Sequence, residues 1–122
     1  MARLIIPCEL PSMNEIIKEN RRNKYAGAKQ KKEYTEYIAA LCRAQKVSKI
    51  DKKIDIEIIW RCKNRRKDKD NISAGIKFIL DGMVTAGVIE NDGWDQIGDI
   101  RHRFLIDKKI HGIEVLLREV EA

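Results

Sequence analysis

A chain of 122 residues can hold one domain with one modest core and is too short for two ordinary ones. Its 25 Lys and Arg against 19 Asp and Glu leave a net charge of +6, an excess that favours a polyanionic partner such as nucleic acid. No apolar run nears the roughly 20 residues that span a bilayer, and MARLIIPCELP has too short an apolar core for a signal peptide, so a cytoplasmic protein is expected.

Arg3 to Cys8 (RLIIPC) reads as a short apolar strand, at an edge or ending at Pro7, which lacks the amide a central strand needs. Glu9 to Ala28 is polar and turn-prone. Its Arg21, Arg22 and Lys24 beside Tyr25 make it a candidate basic loop that contacts phosphates, or a solvated one. Lys29 to Gln45 has no Gly or Pro, and Tyr34, Tyr37, Ile38, Leu41 and Cys42 recur at helical spacing. This predicts an amphipathic helix with both tyrosines facing the core.

After a polar break at Lys46 to Lys52, Ile54, Ile56, Ile58 and Trp60 alternate with Asp55, Glu57, Ile59 and Arg61, the pattern of a half-buried strand. Arg61 to Lys67 (RCKNRRK) is a basic run that leads into Asp68, and Arg65, Arg66 and Lys67 are candidate backbone contacts to nucleic acid. A helix is predicted over Asn71 to Thr85, capped by Asp70 or Asn71 and ending near Gly87. Ile97 to Ile106 and Ile113 to Val120 read as strands joined by a turn at Asp107 to Gly112, which predicts a C-terminal hairpin. Cys8, Cys42 and Cys62 are odd in number and far apart, so reduced thiols are expected rather than disulfides or a zinc site. His102 and His111 lack metal-ligand spacing.

The chemistry concentrates in DKDNISAGIKFILDGMVTAGVIEND, Asp68 to Asp92. At about 100° per residue, Lys77 and Asp81 fall within roughly 20° of Asp70, while Ile72, Ile76, Ile79, Leu80 and Met83 lie about opposite. Asp68 and Asp70 converge only if the backbone turns between them, and Asp92 must be brought back by the fold. Carboxylates suit a hard divalent ion and a lysine balances phosphate charge, which is the equipment for phosphodiester hydrolysis. Each part also has an ordinary reading, DxDN as a helix cap and Lys77 with Asp81 as a surface pair.

DKDN, then Lys77-x-x-x-Asp81, then AGVIEND together resemble the RusA family of Holliday-junction resolvases, its prophage-type members above all. The resemblance extends to Pro11-Ser12-x-Asn14, the basic segment and Lys53 to Lys67. It implies a small α+β single domain, here a mixed sheet on two main helices, that forms a homodimer. It implies Mg²⁺-dependent paired cleavage of four-way DNA junctions in recombination and repair, with Asp68, Asp70 and Asp92 as metal-binding catalytic acids and Lys77 as catalytic lysine. Lys77 matches with a three-residue insertion within residues 72 to 76, Ala74 holding the ungapped position, and Asn91 stands where an acid often precedes the last aspartate. Two alternatives stay open: a nuclease for other branched DNA, and a branched-DNA-binding protein that does not cleave.

Overall fold

The computed structural model describes residues 2–120. Its elements are β1 (Ala2–Ile6), α1 (Met13–Arg22), α2 (Lys24–Ala44), β2 (Ile54–Cys62), α3 (Lys69–Ser73), α4 (Ile76–Thr85), β3 (Ile97–Ile106) and β4 (Gly112–Glu119). They form an α+β domain with one mixed four-stranded sheet in the order β1-β4-β2-β3.

The most apolar strand, β2, takes a central position. Ile54, Ile56, Ile58 and Trp60 are buried in the core with Leu4, Ile6, Val115 and Leu117 of the neighbouring strands. Ile38 and Cys42 of α2 and Phe78, Ile79 and Met83 of α4 complete that core. The other sheet face carries cross-strand ion pairs, Arg61 with Glu114 at 3.2 Å and Glu57 with Arg103 at 3.8 Å. Alternation along β2 thus yields one greasy face and one charged one, as its sequence predicts.

Tyr34 and Tyr37 pack against the core, with the Tyr34 ring 5.5 Å from that of Phe78. The Cys8 thiol donates to the Tyr37 hydroxyl at 3.7 Å, and burial together with that thiol pushes the phenol up to about 12. All three cysteines are free thiols, and burial raises that of Cys42 to about 11.

Three expectations need correction. Residues Glu9 to Ala28 are not a long loop: α1 and the first turn of α2 occupy most of them. Ser12 and Glu15 form a capping box, each side chain bonding the other's backbone N–H, and Asn23 caps α2 through Ala26 N–H at 2.7 Å. Serine followed three residues on by glutamate is a helix-start signature, and it outweighs the polar composition of the stretch.

The helix expected over Asn71 to Thr85 is two helices, α3 and α4, meeting at Ala74 and Gly75. Bonds from Gly75 N–H to Ile72 O and from Phe78 N–H to Gly75 O tighten this corner. Gly75 packs so closely that an added Cβ would sit 3.1 Å from Leu10 Cβ and 3.2 Å from the Trp60 ring. The α3 cap is Asp68, which makes no side-chain capping bond.

The C-terminal strands do not form a hairpin. β3 lies parallel to β2, while β4 runs antiparallel to both β2 and β1. The apolar β2 lies between β3 and β4 and pairs with both. The intervening turn passes the end of β2, where Asp107 N–H donates to Cys62 O at 2.8 Å.

Candidate active site

Asp68 and Asp70 stand where β2 hands over to helix. The chain leaves β2 at Cys62, runs through the basic segment, and enters α3 with Asp68 extended at φ −70° and ψ 154°. That change from extended to helical backbone is the turn needed to bring the two carboxylates towards one side. Both are exposed, and Asp70 Oδ1 accepts the Asn71 N–H at 3.0 Å. Asn71 Oδ1 in turn accepts the N–H of Asn14 at 2.9 Å, and Lys67 Nζ lies 2.7 Å from Glu15 Oε1. The entry of α1 is thus fastened to both sides of Asp68.

Asp92 is carried back beside α4 by a chain reversal. Gly87, at φ +77°, ends α4 in a left-handed turn in which Val88 N–H donates to Met83 O and Gly87 N–H to Val84 O. This is the helix stop that glycine supports without steric penalty. Val88 and Ile89 then bury themselves, and Asn91 Oδ1 accepts the Gly93 N–H at 2.8 Å, shaping the turn that carries Asp92. Asn91, in a position where an acid was the expectation, holds the backbone of that turn.

Lys77 joins this return to helix α4. Its ammonium lies 3.2 Å from Asp81 Oδ1 and 3.8 Å from Asp92 Oδ2. Asp81 also meets Lys31 of α2 at 3.9 Å, and its Oδ2 is buried with no hydrogen-bond partner among the described residues. Asp81 was expected on the Lys77 face of the helix, without a role of its own, whereas Lys31 had no sequence signal. No local pattern links α2 to this site, because only the packing of α2 on α4 brings Lys31 there.

The acids therefore fall into two groups. Asp68 and Asp70 line a cleft of about 640 Å³ with Arg65, Lys67 and Lys69, floored by Cys62, Ile72 and Phe104. Asp81 and Asp92 line another of about 570 Å³ with Lys31 and Lys32. Among the described residues no three His, Cys, Asp or Glu side chains come together closely enough to hold one metal ion. In donor chemistry Asp68, Asp70 and Asp92 fit a hard divalent cation, since all three offer carboxylate oxygens.

Of the basic candidates, Arg65 and Lys67 border the Asp68–Asp70 cleft and Arg66 an adjoining cavity. Arg21 and Arg22 occupy the last turn of α1, and Lys24 the start of α2, 5.5 Å above the Tyr25 ring. His102 is no free base, since its Nδ1 accepts the indole N–H of Trp60 at 3.0 Å.

The molecule is thus a small basic α+β domain with Asp68, Asp70, Lys77 and Asp92 exposed beside clefts lined by lysine and arginine. The sequence model of one family, endodeoxyribonuclease RusA, matches residues 7–118, nearly the whole chain. The chain belongs to the endodeoxyribonuclease RusA family. A comparison with curated protein sequences returned no significant match.

Proposed function

We propose that this protein is a Mg²⁺-dependent endodeoxyribonuclease that resolves four-way DNA junctions by paired strand cleavage, acting as a cytoplasmic homodimer. The observation that carries the reading is the approach of Lys77 to Asp92, which supports the assignment of a lysine and an acid distant in sequence to one site. Asp68, Asp70 and Asp92 are the proposed metal holders. When bound, the ion relieves charge on the phosphoryl group and lowers the pKa of water.

Lys77 contributes a fixed positive charge. With Asp81 and Asp92 beside it and more than half of its side chain exposed, its ammonium is held towards solvent, where it can stabilise charge developing on phosphate or leaving oxygen. The lysine stands one turn beyond the position expected without a gap, and the α3–α4 corner at Ala74 and Gly75 is an irregular point able to absorb extra residues. Arg65, Arg66 and Lys67 hold the DNA backbone near the acid pair, and Arg21, Arg22 and Lys24 form a second contact region. Two-fold symmetry would set two such sites on the two strands of a symmetric junction.

The test is a synthetic four-way junction incubated with and without Mg²⁺, comparing wild type with Asp70→Asn. Symmetric paired incisions that need Mg²⁺ and vanish in Asp70→Asn are expected, with flaps left uncut. The separation of the acids into two groups favours a second reading, a branched-DNA-binding protein without cleavage. Junction binding with no Mg²⁺-dependent nicking would establish that second reading.

A further inference from the structure

We propose that the cavity between the end of β2 and the entry to α1 receives one unstacked nucleotide of the DNA strand held at Asp68 and Asp70. The inference rests on the nuclease reading and adds a nucleotide-binding site to it. The cavity encloses about 250 Å³. That lies just below the roughly 300–1,000 Å³ of small-molecule sites, a size for a single ring system and not for a duplex.

Its walls suit a base. Leu10, Trp60, Ile72 and Ile113 supply apolar surface, and Glu9 offers an acceptor to the amino or ring N–H groups of a nucleobase. Its rim suits a phosphate, because Lys63 and Arg66 are exposed there and lie within ion-pair distance of no carboxylate among the described residues. Apolar depth below unpaired cations is the arrangement that takes in a base while gripping its backbone.

Position gives the cavity its role. It shares Cys62, Asn64, Lys67 and Ile72 with the Asp68–Asp70 cleft, so a strand lying in one passes directly beside the other. Extracting a base from a paired duplex costs a few kcal/mol, and least where the base is already unpaired. A cavity filled only by an extruded base therefore favours branch points and bulges over continuous duplex, which supplies a physical source of structure selectivity.

Binding is measured without divalent metal, using a duplex with one bulged 2-aminopurine and a fully paired duplex of the same sequence. Acrylamide quenching of the bulged base is expected to fall several-fold when the wild-type protein binds, and the paired control to stay unchanged. Cys62→Phe and Ile113→Phe fill the cavity from different strands, and thermal melts identify which of them fold. A folded variant is expected to restore quenching to that of free DNA while binding, read by anisotropy, persists. Unaltered quenching on wild-type binding, or protection that survives in a folded variant, would overturn the inference and leave the nuclease reading standing. Failure to bind the bulged DNA would likewise overturn the inference, while the four-way-junction assay decides the nuclease reading on its own.

Discussion

Asn71 Oδ1 accepts a hydrogen bond from the backbone N–H of Asn14 at 2.9 Å, joining residues 57 positions apart. Asn14 belongs to the Pro11-Ser12-x-Asn14 segment and Asn71 closes DKDN, so two separately noticed motifs prove to be neighbours in space. The bond acts on position: it braces the first turn of α3, where Asp70 sits, against α1. Asn71→Ala should lower unfolding free energy by about 1 kcal/mol, the usual net value of one such bond. Cleavage should fall by more than the lost stability explains, because a loosened α3 misplaces Asp70. Urea unfolding and junction-cleavage rates at a temperature where the variant is fully folded check the two halves.

Lys77 meets Asp92 while Ala74, one turn earlier, offers no charge. Lys77→Ala should reduce the cleavage rate by about 10²–10³-fold, the loss that follows removal of one preorganised stabilising group. Junction affinity should change little, since the basic segments supply most phosphate contacts. A second substitution, Ala74→Lys, should not rescue the rate. Single-turnover cleavage of all three proteins tests this, and full activity in Lys77→Ala would remove the lysine from the site.

The α2–α4 contact that carries Lys31 to Asp81 depends on a glycine. A Cβ at Gly82 would collide with the Ile38 side chain, in the middle of the buried helix pair. Gly82→Ala should therefore destabilise by about 1–3 kcal/mol as an overpacking change, even though alanine is the better helix former. Denaturant titration should show a lower midpoint with an unchanged slope.

How much of this was legible in the sequence follows the range of the forces concerned. β2 was readable because its alternation is local, and the stop at Gly87 because a left-handed turn names its own residue. The Ser12–Glu15 capping box was equally local and was obscured by the charge around it. The break at Gly75 was not legible, because the tight contact with Leu10 and Trp60 that accompanies it is tertiary. Nor was the pairing of β3 with β2, since two strands flanking a short turn fit a hairpin and a crossover alike until the partner of β2 is known. Lys77 and Asp81 shared a predicted face and do pair. The approach of Asp92 and of Lys31 required the chain path.

His102 gives a pH prediction. Trp60 Nε1–H donates to its Nδ1, so the neutral ring with the proton on Nε2 is the form that fits. Burial lowers its pKa from the ordinary 6.5. A depressed folded-state value means that the unfolded chain binds the proton more readily, so stability is complete above about 6.5 and is lost as pH falls through the folded value. Protonation would also turn Nδ1 from acceptor to donor and break the Trp60 bond. His102→Phe keeps an aromatic ring beside Trp60 and Phe104 but cannot titrate. Wild type should therefore lose melting temperature as pH falls below about 6.5, where His is the side chain that ordinarily changes charge. The variant should be less stable at neutral pH by about 1 kcal/mol for the lost bond and should show a flatter pH dependence. Equal slopes in the two proteins would mean that His102 is not the group that titrates.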